Sequence, residues 1–563
     1  MPDSNHPILN ANTDPDVTVG SKSRRWTISI LVLTVLFVGM THYTSTSPLR
    51  NIIQHRPLLN CDNNPTRPGP SVFLYMGRLV LSGGMPYRDA FDHKGPLLYL
   101  LNASGLIIHG VFGVWLLELV FLAVSTVFTY KTARLFSSSG AALLTTVVSV
   151  FWYTALCDNN YCETWTIPFL LISLYNWVMY CRGGHQIALR NTFVVGLCFG
   201  AVLLLKPNLT ALWILFCLTV AIAEVRHHRY AQLTSHIVFF LLGAAFILAP
   251  ILGWLWKNGA WNEFIEQEWH FNRIYCHVPF GERLIAFTRC FSCFRLESYF
   301  VPFAAIGYLA LAYRAETRRD RTFFLLMETF LFLSLVLLSL SARTYHYYSI
   351  PLVVPLLPFL ASAFSWSIKT DTATLEKFSR RALLVLLLIP TIFYDIPLFR
   401  PVRDVAKIAA LRRIHPDVET AQLFRGYGYP YTCDESDAIE IAGWLRDNTT
   451  PETRIANFGL GGRLIYWHAN RRCVTKYFYF NRTHVENGYL PEILADLKEK
   501  APEVFIYQRS WGDGASLFEG VTFRDDEEKK PGMSLTPIEI TDWINAEGYQ
   551  KAFENTLYEI WRK

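Results

Sequence analysis

Charged residues are scarce in this chain, and their scarcity excludes an ordinary soluble protein of several domains. Only 17% of the 563 residues are charged and 52% are hydrophobic, whereas soluble proteins average about 25% charged residues. Apolar runs of roughly 17 to 25 residues recur from Trp26 onward, which is the length that a helix needs to cross a bilayer. The composition therefore predicts a polytopic membrane protein.

Motifs of soluble nucleotide-dependent and metal-dependent enzymes are also missing. The chain has no P-loop, no H-E-x-x-H and no G-x-S-x-G, and the stretch GLGGRL from Gly459 lacks the spacing of a dinucleotide fingerprint. The eleven cysteines are irregularly spaced, and Cys290 and Cys293 have no second ligand pair nearby for a zinc site. We interpret the cysteines as structural thiols or as an extracytoplasmic disulfide.

The net charge of +6 does not indicate a nucleic-acid partner, because the basic residues stand in short groups between the apolar runs. Such groups mark the cytoplasmic ends of membrane helices. All six groups fall on one face if the chain crosses the membrane about eleven times; they begin at Lys22, Lys131, Arg182, Arg226, Arg314 and Lys369. The predicted spans are Trp26–Tyr43, Val114–Tyr130, Ala141–Leu156, Trp165–Tyr180, Thr192–Leu205, Leu209–Ala223, Ser235–Trp256, Tyr299–Tyr313, Phe323–Leu340, Ser349–Trp366 and Ala382–Ile396.

The apolar run from Gly95 to Gly110 has the length of a further span, but counting it as one would place five basic groups outside. Its interior also carries Asn102, Ser104 and His109. We therefore predict a helix that lies in the outer interface, together with a similar short helix from Ser71 to Leu81. A true span from Gly95 to Gly110 is the alternative.

This topology divides the chain into three parts. Residues 1–25 form a cytoplasmic tail, residues 26–397 a membrane domain whose first outer loop is 44–113, and residues 398–563 an extracytoplasmic α/β domain. The last part is richer in charge, and three of its segments each combine a helical period with a short strand. That alternation favours a small α/β domain outside the membrane.

Acidic side chains gather on the predicted outer face and come from separate loops. The first loop supplies Asp62, Asp89 and Asp92, and the second supplies Asp158 and Glu163. Ionisable groups at a membrane boundary are costly unless they are hydrated or paired, so two such loops indicate a polar cavity. The plainer interpretation is that these are ordinary charged loop residues.

The first loop contains the densest set of charges, in the stretch GGMPYRDAFDHKGPLLYL that begins at Gly83. The glycines and Pro86 suit a turn between two interfacial helices, which puts Arg88, His93 and Lys94 on a short connector with two aspartates. A carboxylate there could accept a proton from a hydroxyl, and the cations could neutralise a phosphate. Anchoring of the connector at lipid headgroups is the alternative.

Three further cations stand at the predicted outer ends of spans. Lys206 precedes the helix-breaking Pro207, and Arg343 and His346 lie among tyrosines. A lysine at that depth either reaches toward lipid headgroups or meets an anionic ligand. Tyrosines are ordinary at a membrane interface, so only the cations carry information about function.

The stretch FLYMGRLVLSGGMPYRDAFDHKGPLLYLL resembles the multi-span glycosyltransferases of the GT-C class, and NNYCETWTIPFLLISLY, LLLKPN and RTYHYYSIPLVVPLLP support the resemblance. That class includes protein O-mannosyltransferases and the lipid A aminoarabinose transferase. The resemblance covers residues 26–400 in broad terms and is specific for the class, not for one activity. It implies transfer of a sugar from a polyprenyl-phosphate donor to an extracytoplasmic hydroxyl of a protein, lipid or glycan.

The resemblance also implies roles for single residues. A carboxylate of the first loop would be the base, so the catalytic candidates are Asp89, Asp92 and Asp62. Relatives often have an aspartate just before the first interfacial helix, where this chain has Pro70. Either Asp62 replaces it, or Asp89 or Asp92 is the base, or activity is lost. The candidates for substrate binding are Arg88, His93, Lys94, Asp158, Glu163, Lys206, Arg343 and His346.

Such a transfer requires no cofactor or metal, because phosphate is already a good leaving group, although two acidic loops could also bind a divalent ion. The expected partners are the lipid-linked donor, membrane lipid and an acceptor. The resemblance is closest to bacterial members, so we expect a bacterial cytoplasmic membrane protein with its N-terminus in the cytoplasm. The alternative is a transporter or flippase for a lipid-linked glycan, which would be expected to show a repeat of helices; the sequence shows no clear one.

Overall fold

The computed structural model describes residues 21–42, 68–155, 160–184, 186–290, 297–342, 346–368, 380–381, 383–385, 388, 432–459, 461–479, 484, 488–508, 538–555 and 557–563. The helices of the first two thirds of the chain are α1 (Ser21–His42), α2 (Pro68–Leu81), α3 (Pro96–Arg134), α4 (Ser139–Ala155), α5 (Cys162–Arg182), α6 (Leu189–Leu203), α7 (Ala211–Arg226), α8 (Tyr230–Lys257), α9 (Trp261–Phe264), α10 (Asn272–Tyr275), α11 (Phe280–Cys290), α12 (Glu297–Arg314), α13 (Arg318–Ser339) and α14 (Val353–Ile368). Short 3₁₀ turns lie at Pro207–Leu209 and His346–Leu352, and Ile265–Phe271 is π-helical.

The later part of the chain alternates helices with strands. Its elements are α15 (Thr432–Asn448), β1 (Ile455–Phe458), α16 (Gly462–Ala469), α17 (Leu490–Lys500), β2 (Val504–Gln508), α18 (Ile538–Ala546), β3 (Gln550–Glu554) and β4 (Tyr558–Arg562). Each of the three segments predicted to combine a helix with a strand does so, as α15 with β1, α17 with β2, and α18 with β3 and β4. The strands form one sheet in the order β1-β2-β4-β3, in which β1 and β2 are parallel and the other pairs antiparallel.

Described helices lie at ten of the eleven positions where the apolar runs predicted spans; most of the eleventh, Ala382–Ile396, lies outside the described residues. In the described part of the chain, four helical segments are long and apolar enough to cross a membrane, namely α3, α8, α13 and Tyr347–Ile368. Other helices at predicted spans are shorter, such as α4 with 17 residues and α6 with 15 residues. The structure is therefore that of a helical membrane protein, and the number of eleven spans stays a prediction.

Helix α3 is broken in its middle. His109 and Gly110 have non-helical backbone angles, and Gly110 has a φ of 55°. The break brings Gly105 against Val114, so closely that a Cβ atom on Gly105 would lie 2.5 Å from the Val114 Cα atom. Residues nine positions apart in a continuous helix would be about 13 Å apart, so the chain turns sharply here. The predicted helix that ends at Gly110 is thus separate from the span that follows it.

Basic groups meet at one end of the helix bundle. Arg182 donates a hydrogen bond to the Leu135 carbonyl at 2.7 Å and lies 3.9 Å from Asp320. Arg319 donates to the Cys181 carbonyl at 2.7 Å. These contacts join the ends of α3 and α5 to the start of α13, so three of the six basic groups share one face in the structure.

The opposite end of the bundle shares an apolar core with the C-terminal sheet. Leu79 and Tyr87 belong to this core together with Leu464 and Val504. Arg78 of α2 strengthens the contact, because its guanidinium donates to the carbonyls of Tyr466 at 2.6 Å and Trp467 at 3.1 Å in α16. The connector between α2 and α3 is consequently enclosed between the bundle and the C-terminal part of the chain.

Candidate functional site

The connector between α2 and α3, residues 82–95, is compact because it forms hydrogen bonds within itself. The Asp89 N–H donates to the Met85 carbonyl at 2.9 Å, and the Tyr87 hydroxyl donates to the Lys94 carbonyl at 2.7 Å. Tyr87 has a φ of 69°, a backbone conformation that is costly for a large side chain. Strain that the surrounding contacts enforce is typical of functional sites.

Arg88 and Asp89 are engaged with each other. Arg88 donates to both carboxylate oxygens of Asp89, at 2.7 and 2.9 Å, and to the Asn258 carbonyl beyond the end of α8 at 2.9 Å. The Met85 N–H donates to the same carboxylate at 2.7 Å. Burial raises the pKa of Asp89, but the hydrogen bonds from Arg88 and Met85 more than offset this and hold the pKa below its usual value. The pair fastens the connector to α8.

Asp92 lies in the interior and is 2% exposed. One oxygen accepts from the Tyr99 hydroxyl at 2.8 Å, and the other accepts from the Tyr479 hydroxyl at 3.0 Å and from the His93 N–H at 2.9 Å. Burial raises the pKa of Asp92 although Lys94 and these hydrogen bonds act to lower it. Because Tyr479 belongs to the C-terminal part, this carboxylate joins the two parts of the chain.

The Tyr479→Phe variant tests how much that junction contributes. We expect it to lower the free energy of unfolding by about 1 to 3 kcal/mol, because the buried carboxylate of Asp92 loses one hydrogen-bond donor. Thermal unfolding in detergent measures the loss. Tyr489→Phe is the matched control, since the Tyr489 hydroxyl donates at 2.9 Å to the exposed Glu266 and its removal should cost less. Equal melting temperatures for the two variants would contradict the expectation.

Lys94 is the cation of the connector with the fewest partners. Its ammonium lies 2.8 Å from Nε2 of His93; an ammonium only donates, so that nitrogen is the acceptor of a neutral imidazole. Burial agrees with this, because it lowers the pKa of His93 well below its usual value. Burial also acts to lower the pKa of Lys94, but the nearby Tyr348, Cys162 and Asp92 more than offset this and raise the pKa. Among the described residues, no carboxylate forms an ion pair with Lys94.

Lys206 is brought beside the connector by a backbone contact. The Leu97 N–H at the start of α3 donates to the Leu204 carbonyl beyond α6 at 3.1 Å. Gly95 is needed at this crossing, because a Cβ atom there would lie 2.1 Å from the Leu204 carbonyl oxygen. The absence of a side chain at Gly95 thus lets the chain segments that carry Lys94 and Lys206 lie side by side.

Unlike Lys94, Lys206 has a counter-ion. It forms a salt bridge with Glu163 in the first turn of α5, and the two side chains are 13% and 3% exposed. The Lys206 ammonium also lies 3.7 Å from the centre of the Tyr348 ring, which adds a cation–π contact. The structure therefore brings together Lys94, Lys206 and Glu163, which the sequence placed in three separate segments.

Asn160 holds the start of α5 against α3. Asn102 and Asn160 exchange side-chain amide hydrogen bonds at 3.0 and 2.8 Å, and the Trp165 indole donates to Asn160 at 3.0 Å. The Asn160 N–H donates to the buried Glu118. This network gives Glu163 a defined position next to Lys206.

Glu268 is a further acidic residue of the site, and the sequence reasoning missed it. It lies in the π-helical stretch Ile265–Phe271 and is 6% exposed. Burial raises the pKa of Glu268 well above its usual value, although Lys94 acts to lower it. The sequence did contain a signal that could have found Glu268. The loop that follows α8 contains several glutamates, and the predicted topology places this loop on the same face as the connector.

The remaining candidates stay predictions. Asp62, Asp158 and Arg343 lie outside the described residues, and so does the side chain of His346, whose backbone opens a 3₁₀ turn. Within the described part of the chain, no group of three or more His, Cys, Asp or Glu side chains is placed to hold a metal ion.

Comparisons with solved structures identify the fold. The crystal structure of ArnT from Cupriavidus metallidurans in the apo state superimposes with a TM-score of 0.56 and 12% identity, over 96% of this chain and 98% of that chain. The crystal structure of the same protein bound to undecaprenyl phosphate gives 0.51 and 10% identity over the same shares. The chain therefore has an ArnT-like fold, and identities this low show the fold alone.

Comparisons of sequence give a family. No curated protein matches the chain. A family model described as "Putative competence-induced protein Ccs4 N-terminal domain" matches residues 68–415, which is more than half of the chain and includes the connector, Glu163, Lys206 and Glu268. The chain therefore belongs to the Ccs4 N-terminal domain family.

Proposed function

We propose that this protein is a membrane glycosyltransferase that moves a sugar from a polyprenyl-phosphate donor to an acceptor hydroxyl outside the cytoplasm. One observation carries the proposal: Lys94 is a largely enclosed ammonium without an ion-pair partner among the described residues. An ammonium has three donors, and among the described residues one of them meets His93, so the site is suited to receive an anion. The ArnT-like fold, which is that of a GT-C glycosyltransferase, favours a lipid-linked phosphate as that anion.

The residues around Lys94 suit this reaction. Lys94 would bind the phosphate directly, and Lys206, held by Glu163, would add positive potential beside it. Such fixed cations stabilise the charge that develops on the leaving phosphate as the sugar–phosphate bond breaks. His93 and Asp92 would keep the connector in position, because their contacts are directed into the protein.

The test uses the purified full chain in liposomes. Undecaprenyl phosphate linked to labelled glucose, mannose or arabinose is the donor, and a cell-envelope extract is the acceptor source. A glycosyltransferase releases undecaprenyl phosphate only when the acceptor is present and transfers the label to it. Movement of intact labelled lipid across the bilayer without release would support the transporter instead. Neither release nor transfer with any of the three donors would contradict the proposal.

The proposal includes an orientation. With the N-terminus in the cytoplasm and eleven spans, Lys131 is cytoplasmic, whereas the connector and the sheet lie outside. A cysteine placed next to Lys131 should react with an impermeant maleimide only in opened cells, and one placed at Glu547 should react in intact cells. Wild-type labelling sets the background, since the chain has cysteines of its own. Labelling beside Lys131 in intact cells would reject this orientation.

A further inference from the structure

The π-helical stretch Ile265–Phe271 and the residue that follows it, Asn272, hold the connector at two points. The Gln267 side chain accepts from the Asp92 N–H at 3.1 Å and donates to the Tyr87 carbonyl at 2.7 Å. The Asn272 amide donates to the His93 carbonyl at 2.9 Å and to the Glu268 carbonyl at 2.8 Å. Glu268 therefore stands between two residues that fasten this stretch to the connector. Single π-helical turns occur frequently at functional sites.

The Glu268 carboxylate is enclosed and incompletely satisfied. Its Oε2 atom is buried and has no hydrogen-bond partner, which is a rare and costly state for a carboxylate. The titratable groups that interact with it electrostatically are Tyr87, Asp92 and Lys94 of the connector and Tyr99 of α3. Glu268 therefore lies in the same cluster as the cation that we assign to the phosphate.

Three other carboxylates of this site, those of Asp89, Asp92 and Glu163, are already engaged. Arg88 and the Met85 N–H occupy both oxygens of Asp89, two tyrosine hydroxyls and a backbone N–H occupy those of Asp92, and Lys206 pairs with Glu163. A base must have a lone pair free for the incoming proton. Glu263 also has a buried oxygen without a hydrogen-bond partner, but its electrostatic contact is with Arg88. Glu268 interacts with Lys94, so it is the described carboxylate that meets that requirement beside the phosphate site.

We propose that Glu268 is the catalytic base of the transfer, an inference that rests on the proposed function. The acceptor oxygen forms a bond to the anomeric carbon and gives its proton to Glu268. The bond between the anomeric carbon and the phosphate oxygen breaks, and its electron pair leaves with the polyprenyl phosphate at Lys94. Glu268 then returns the proton to solvent, so no oxidant or further reactant is needed.

This role has a consequence for the pH dependence. A base acts in its ionised form, so the transfer rate should rise as the pH increases through the pKa of Glu268. Burial and the neighbouring Asp92 raise that pKa, and Lys94 lowers it by less. The rise in kcat/KM should therefore lie at a higher pH than the ordinary pKa of glutamate, which is about 4.3.

The experiment compares Glu268→Gln and Glu268→Asp with wild type in the liposome assay. Glutamine keeps the size of the side chain but cannot take the proton, so kcat should fall about 10²- to 10⁴-fold. Its residual kcat/KM should lose the rise with pH. Aspartate keeps the ionisation, so it should retain the rise at a lower rate. Glu266→Gln is the matched control, because Glu266 is exposed on the same stretch and a glutamine can still accept from Tyr489.

Two results would overturn the inference. Glu268→Gln within threefold of the wild-type kcat and with an unchanged pH profile would show that Glu268 is not the base. A loss of rate in both Glu268 variants with an unchanged pH profile would show a structural role instead. In both cases wild type still transfers sugar, so the proposed function stands. If wild type itself neither releases undecaprenyl phosphate nor transfers label, the proposed function fails and this inference fails with it.

Discussion

The Lys94→Gln variant is expected to transfer sugar about 10²- to 10³-fold more slowly than wild type, because it removes the cation that stabilises the leaving phosphate. Its thermal stability in detergent should stay close to that of wild type. Burial disfavours the ammonium, but nearby groups that include Asp92 offset this, so removing the charge relieves a desolvation cost and removes an attraction at the same time. Loss of activity without loss of stability is the signature of a residue kept for function.

Donor binding separates this role from a structural one. Binding of undecaprenyl phosphate to Lys94→Gln should weaken, whereas Lys257→Gln, at the exposed end of α8, should bind and transfer like wild type. If Lys94→Gln binds undecaprenyl phosphate normally, or if it unfolds at a clearly lower temperature, Lys94 is a structural residue and the assignment of the phosphate site is wrong.

The Lys206→Met variant is expected to lose about 3 to 5 kcal/mol of the free energy of unfolding. Glu163 is 3% exposed and pairs with Lys206, and removing one partner of a buried ion pair leaves the other charge uncompensated. Thermal unfolding measures the loss. Lys500→Met is the control, because Lys500 pairs with Glu499 at the surface, and exposed ion pairs contribute little to stability.

A double variant distinguishes the two possible roles of Lys206, which are to neutralise Glu163 and to supply positive potential to the phosphate. Glu163→Gln combined with Lys206→Met removes both charges, so most of the lost stability should return. Transfer should stay low in the double variant if Lys206 also supplies positive potential to the phosphate. A double variant that is stable and fully active would limit Lys206 to neutralising Glu163, and an unchanged stability in the single variant would contradict the burial argument.

Much of the fold follows from local pattern. The apolar runs predicted helices at the right places, because a chain that crosses lipid must satisfy its backbone hydrogen bonds within each segment. The helix-and-strand segments after Thr432 were also predicted from local sequence pattern. Counting basic groups, an argument about topology that needs no contacts, predicts that the helix from Gly95 ends at Gly110, and α3 is broken at this position. Where each helix lies relative to the membrane stays a prediction, because hydrophobic periodicity does not show which part of a helix is inside the bilayer.

The residues of the connector were also readable from the sequence, since charges beside an apolar run are unusual wherever they occur. The separate role of each of these residues could not be predicted from the sequence. Asp92 forms hydrogen bonds with Tyr479, 387 positions away in the sequence, and with Gln267, 175 positions away. No local sequence pattern predicts either contact. Asp89 and Asp92 look alike in sequence, yet one is paired at the surface with Arg88 and the other is enclosed between tyrosines.

The sequence by itself determined that this is a helical membrane protein with a charged connector between the helices α2 and α3. Only the tertiary structure decided that Lys206 has a counter-ion and Lys94 has none among the described residues, and that Glu268 joins them. The physical reason is that composition and periodicity report which side chains avoid water, whereas the chemistry of a charge depends on the partner that faces it, and that partner is chosen by folding.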